Sequence, residues 1–142
     1  MDKEPLLPAI EFKTCPIKAS LGVLGRKWTM LILRDIGFRK IGRFNELLRS
    51  VPGLTPRVLS TRLSELEADG IIVQVETREY PKLVRWGLTK KGESTLPILM
   101  SMIEFGSRWY AGDVFEDKVP RAIEEIFPQL PFERHPATVA TA

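Results

Sequence analysis

The spacing of apolar residues changes along this chain, and each change predicts an element. Residues 1–13 show no sustained period and read as a flexible arm. "PIKASLGVL" then predicts a short helix, with Pro16 acceptable in a first turn whose N–H groups have no partner anyway. In "RKWTMLILRDI", Trp28, Leu31, Ile32 and Ile36 share a helical face flanked by Lys27, Arg34 and Asp35, which predicts a core helix. Two glycines in "GFRKIG" interrupt it with a turn or short strand. "RFNELLRS" resumes helical spacing through Phe44, Leu47 and Leu48, and "VPGL" stops it. Thr55-Pro56 then restarts a helix as a capping residue followed by a first-turn proline.

The restarted segment, "TPRVLSTRLSELEADG", carries two faces. Val58, Leu59, Leu63 and Leu66 form a stripe for burial, while Arg57, Ser60, Thr61 and Ser64 gather opposite. Arg62 falls among the leucines, so its stem is expected to pack and its head to reach an acid nearby. Gly70 is placed to end the helix. "IIVQVETRE" next alternates Val73, Val75 and Thr77 with Gln74, Glu76 and Arg78, the period of a half-buried strand. "YPK" is a turn, and "LVRWGLT" returns with Val84, Trp86 and Leu88 on one face. Two helices around a Pro-Gly turn, followed by a hairpin, give the order of a winged helix-turn-helix. The fold class expected is therefore mainly α with a small β-hairpin wing.

After Thr89, a plausible cap, "TKKGESTLPILMSMIEFGSRWY" predicts a long helix with a kink or broken turn at Pro97. It holds one stripe of Leu96, Leu99, Ile103 and Gly106 and a second of Ile98, Met102, Phe105 and Trp109. A single small domain rarely covers both, so the second stripe is expected to be a subunit interface. The competing reading folds the C-terminal segment back over it. The expected domains are the arm at 1–13, a winged-helix and dimerisation domain at 14–112, and an acidic, proline-containing, partly disordered extension at 113–142.

Charge sharpens this outline. The net charge of +3 on 142 residues hides a segregation. Between Lys13 and Gly92 there are 16 Lys and Arg against 7 Asp and Glu, a net of +9, and the remainder carries −6. A basic block of this size favours a polyanion. "MDKEPLLPAIEFK" lacks the basic-then-apolar order of a signal peptide, and no run is long and apolar enough for a bilayer span. Cys15 is the only cysteine, so a cytoplasmic setting without an intrachain disulfide is expected. Enzyme chemistry finds no foothold. His135 stands alone, no metal-ligand spacing occurs, and "GFRKIGRF" puts Arg43 and Phe44 where a phosphate-binding loop needs Lys and Ser or Thr. No cofactor is implied.

"CPIKASLGVLGRKWTMLILRDI", "RFNELLRSVPGLTPRVLSTRLSELEADGII" and "VRWGLTKKGESTLPIL" together resemble the HxlR-type winged-helix transcription regulators. The likeness spans roughly residues 14 to 106, and the order of its motifs makes it specific. It implies a cytoplasmic homodimer, joined through its N- and C-terminal helices, that binds double-stranded DNA. It also implies that Cys15 matches a position through which some relatives respond to oxidants or electrophiles. The residues suit such a partner. A helix enters the major groove, where Arg57 can pair guanine bidentately and Thr55, Ser60, Thr61 and Ser64 can bond base edges or phosphates. Arg43 would cross the backbone nearby, and Arg78, Lys82 and Arg85 lie in or beside the wing at 78–85. Cys15, at a helix start near Lys13 and Lys18, suits a thiolate, although a free cysteine is as readily a small buried hydrophobe. A near-palindromic operator and a repressing outcome are expected; the alternative is a winged helix used for protein contacts alone.

Overall fold

The computed structural model describes residues 3–130. Part of the expected extension, 131–142 with His135, therefore lies outside the described residues. The chain divides into two compact units, one ending at Leu96 and the other starting at Pro97.

In the first unit, residues 3–15 carry no helix or strand and are exposed. Helices α1 (Pro16–Leu24), α2 (Thr29–Gly37), α3 (Phe44–Ser50) and α4 (Pro56–Ala68) come next, then strands β1 (Ile72–Glu79) and β2 (Lys82–Leu88) and the single turn α5 (Lys90–Glu93). Its core draws Ile32, Leu33 and Ile36 from α2, Leu47 from α3, and Leu59, Leu63 and Leu66 from α4. Ile71 and Ile72 close it where β1 begins.

The buried face of α2 is rotated from the one the sequence suggested. Leu31 is exposed and Leu33 fully buried, because the inward positions are Thr29, Ile32, Leu33 and Ile36. Trp28 precedes the helix in a left-handed conformation, φ 78°, and does not belong to its face. Asp35, expected as a flanking charge, has no exposure at all. Arg34 Nε donates to its Oδ1 at 3.0 Å and Arg39 Nη1 at 3.3 Å, while Oδ2 is buried without a partner. Arg39 also donates to Ser50 Oγ at 2.6 Å, tying the end of α2 to the end of α3.

Helix α4 is defined at both ends by local chemistry. Thr55 Oγ1 accepts from the Val58 N–H at 3.3 Å, and Pro56 fills the first turn. At the other end Gly70 is left-handed, φ 73°, with its N–H on Glu67 O at 3.0 Å and the Ile71 N–H on Leu66 O at 2.9 Å. This is a complete Schellman cap, and its usual apolar contact pair, Leu66 and Ile71, is buried. Gly53 makes the turn before α4 at φ 89°, and a Cβ there would lie 3.3 Å from Trp28 Cη2. That close approach holds the turn against the start of α2.

The strands form one antiparallel hairpin with Glu79 opposite Lys82. Its register slips by one between Gln74 and Glu76, so Val75 is an extra, bulged residue. The even alternation expected across 73–78 therefore breaks at this point. Nor is β1 half-buried: only Ile72 is buried, and the rest of the strand is exposed on both sides. The segment before α3 adds a short third edge, with the Trp86 N–H on Gly42 O at 2.9 Å and an isolated bridge between Arg43 and Arg85.

The expected break near Pro97 occurs at Ser94–Thr95, and the proline sits in the first turn of α6 (Leu96–Trp109), where its missing N–H costs nothing. In the second unit α7 (Ala111–Val114) and α8 (Ile123–Ile126) follow α6. Ser107, Ala111 and Ile123 are buried. Asp117 and Arg121 pair through both carboxylate oxygens, and the Val119 N–H donates to Asp117 Oδ1 at 3.1 Å. The Arg121 guanidinium and that backbone N–H hold the Asp117 carboxyl down at about 2. Arg121 also lies 4.5 Å above the Phe115 ring.

Candidate nucleic-acid interface

The outer face of α4 is built from its own periodicity. Burial of Leu59, Leu63 and Leu66 leaves Arg57, Ser60, Thr61 and Ser64 exposed on the opposite side. Among the described residues Arg57 makes no side-chain hydrogen bond or ion pair, so its guanidinium is free to meet a partner. Thr61 donates its hydroxyl hydrogen to Arg57 O at 3.0 Å, and Thr55 is engaged as the cap. The positive end of a 13-residue helix lies at this end of the segment.

The acids of α4 are held at the other end. Glu65 meets Arg26 at 2.9 Å and Arg62 at 3.2 Å, and Arg62 Nε also donates to Lys27 O at 2.9 Å. Arg62 is thus the packed, acid-directed residue that its position among the leucines implied. Asp69 pairs with Lys91 at 3.3 Å. The front turns present an uncompensated cation, while two of the three following acids have their charge answered by basic side chains.

The wing residues divide into two kinds. Arg78 and Lys82 stand near the hairpin tip with no side-chain partner among the described residues. Arg85, in contrast, donates from Nε to Glu76 Oε2 at 2.9 Å across the strands, and Arg43 stands 4.0 Å from Glu46. Each of these two expected DNA contacts thus has an acid beside it: Glu46 lies one turn along from Arg43, and the bulge sets Arg85 directly opposite Glu76. Arg43, Arg49, Asn45 and Lys82 line one groove of about 350 Å³ between α3 and β2. Sequence reading missed Arg49 and Asn45. No local signal marks them, since only the packing of α3 beside the wing brings them near Lys82.

Cys15 is exposed at the N-cap of α1, with no side-chain cap bond. Within the single chain it is therefore not packed in the core. Ile98, Met102, Phe105 and Trp109 are all exposed along α6, from 44% to 69%, with the Phe105 ring 5.9 Å from that of Tyr110.

Residues 23–113 match the HxlR-like helix-turn-helix family. The chain belongs to that family. Within it, the chain is 36% identical over 94 residues to the HTH-type transcriptional regulator YdzF of Bacillus subtilis, itself uncharacterized, covering 66% of this chain and 86% of YdzF. Solved structures agree with the fold. One, from Porphyromonas gingivalis and described as a transcriptional regulator of the MarR family, superposes with a TM-score of 0.62 at 35% identity, covering 70% of this chain and 96% of that one. The redox regulator HypR in its oxidized form gives 0.60 at 37% identity, covering 65% and 94%. This HxlR-like chain is accordingly a winged-helix protein of a transcription-regulator family.

Proposed function

We propose that the protein is a homodimeric, sequence-specific, double-stranded-DNA-binding regulator that acts as a cytoplasmic repressor. The reading rests on one observation: the front of α4 offers an unpaired arginine amid hydroxyl side chains, with Glu65, the first acid of the helix, paired to Arg26 and Arg62. In the major groove Arg57 is the base reader, Ser60 and Ser64 add base or phosphate contacts, and Thr61 accepts from a base amino group. Lys82 and Arg78 follow the backbone as the hairpin crosses it. Two such helices in a twofold dimer fit a near-palindrome with half-sites about 34 Å apart. A dimer seated on a promoter blocks polymerase without any further contact, which is why repression is the outcome proposed.

Selection of bound duplexes from a random pool tests the reading, followed by gel shifts on the selected site. Arg57→Ala is expected to lose about 1–3 kcal/mol on that site and to relax its preference at one position. Lys82→Ala should weaken every duplex alike and flatten the salt dependence. A pool that yields no preferred sequence, with weak salt dependence, would leave the winged helix as a protein-contact module instead.

A second element of the proposal concerns Cys15. Its exposure favours a thiol-responsive role over a packing one, and HypR, described as a redox regulator, shares the fold. As the chain has a single cysteine, oxidation gives an intersubunit disulfide, a mixed disulfide or a sulfenic acid. A mild oxidant should lower operator affinity in the wild type and leave Cys15→Ser unaffected.

A further inference from the structure

A second hollow in the first unit lies beside the surface described above and shares only Arg85 with it. It holds about 270 Å³ and lies between the end of α2, both strands of the wing and the α5–α6 junction. Val75, Trp86, Leu88 and Leu96 line it, over Ile36. Each of the four is left partly exposed, although large apolar side chains gathered at one place are what hydrophobic burial ordinarily covers.

Three features of the backbone build this hollow. The bulge inserts Val75 into β1, and a bulge redirects its side chain. A Cβ on Gly87 would stand 2.7 Å from Val75 Cγ1, so the absence of a side chain there lets Val75 lie across β2. Gly37 does the same at the end of α2: a Cβ would stand 2.5 Å from Leu96 Cδ2 and 3.0 Å from Leu88 Cδ1. Leu88 and Leu96 are thereby packed on one side and open to the hollow on the other.

The charges on its rim are unequal. Arg85 is committed to Glu76, whereas Lys40 has no side-chain partner among the described residues. Lys40 also holds φ 56°, a left-handed conformation that costs a side chain energy glycine would not spend. Glu93 is the one acid in the lining. An apolar wall, one free cation and one acid that repels a second negative charge define a ligand of limited size and a single negative charge.

We propose that this hollow binds a small single-ring carboxylic acid as its monoanion, the ring on the apolar wall and the carboxylate on the Lys40 ammonium. The volume lies just below the ~300 Å³ at which drug-sized sites begin, which limits the occupant to about one ring. Charge complementarity selects the anion over an amine of the same shape, and Glu93 selects a monocarboxylate over a dicarboxylate.

Calorimetric titration of the full chain without DNA tests this apart from the DNA-binding proposal. Benzoate is expected to bind saturably at one site per chain with Kd below about 1 mM. Phthalate, benzylamine and benzyl alcohol should bind at least tenfold more weakly. Lys40→Gln, an exposed change, should weaken benzoate about tenfold, and Val75→Phe should fill the hollow and abolish binding while amide spectra stay folded. Absence of saturable benzoate binding at about 10 mM would overturn the proposal. So would benzylamine or benzyl alcohol matching benzoate, or either variant binding as the wild type does.

Discussion

Asp35 shows how far one side chain can depart from its sequence appearance. Between Arg34 and Ile36 in a helix it reads as a solvated flank, yet it is fully buried with one oxygen bonded to two arginines. Its burial depends on Arg39 turning back over the end of α2 to reach Ser50, a contact that no pattern in the chain encodes. Asp35→Ala should therefore lower stability by about 1–3 kcal/mol in urea unfolding, since the arginines are partly wet and regain water. Arg62 is the opposite case, legible because a cation on a leucine stripe has to reach out of it. Asp117 gives a prediction in pH. Its carboxyl is held at about 2, below the ordinary 3.8, so its pairing is fully present above the ordinary value and is lost as pH falls through about 2. A carbon-detected NMR titration should find that midpoint, and Arg121→Gln should return it to the ordinary range.

Element boundaries were readable wherever a residue has only one way to behave. Thr55-Pro56 and Gly70 bracket α4 through a cap, a missing N–H and a positive φ, which are local facts of the backbone. Gly53 belongs to this group for its turn, but its contact with Trp28 is tertiary and was not foreseeable. Gly53→Ala should cost about 1–2 kcal/mol, from the left-handed backbone and from displacing the indole, and thermal unfolding would measure it. The phase of α2 was misread because Trp28 and Leu31 fit a helical stripe as well as Thr29 and Leu33 do; only the packed partners choose between them. The bulge at Val75 was hidden for a related reason. An inserted residue leaves the apolar-polar alternation of the sequence intact and alters only what stands opposite.

Across the whole molecule, the excess of basic residues between Lys13 and Gly92 falls within the unit that carries α4 and the wing. The order of helices and hairpin was legible from period and punctuation alone, and the family match agrees with it. The exposed stripe on α6 was visible as a stripe from its helical spacing alone. With Ile98, Met102, Phe105 and Trp109 as the proposed seam, Trp109→Glu should convert the dimer to a monomer in light scattering while leaving the helical circular dichroism unchanged. Such a dimer repeats every feature of α4 about its axis, including two hydroxyls that differ in what they have left to offer. Thr61 has spent its hydrogen on Arg57 O and retains only lone pairs, whereas Thr55 accepts from Val58 and keeps its hydrogen free. On DNA seated as proposed, Thr61 can only accept, as from an exocyclic amino group of adenine or cytosine, while Thr55 can donate its hydrogen to an oxygen or ring nitrogen and still accept through its second lone pair. Each half-site then has to supply an amine where Thr61 meets a base, mirrored through the centre of the operator.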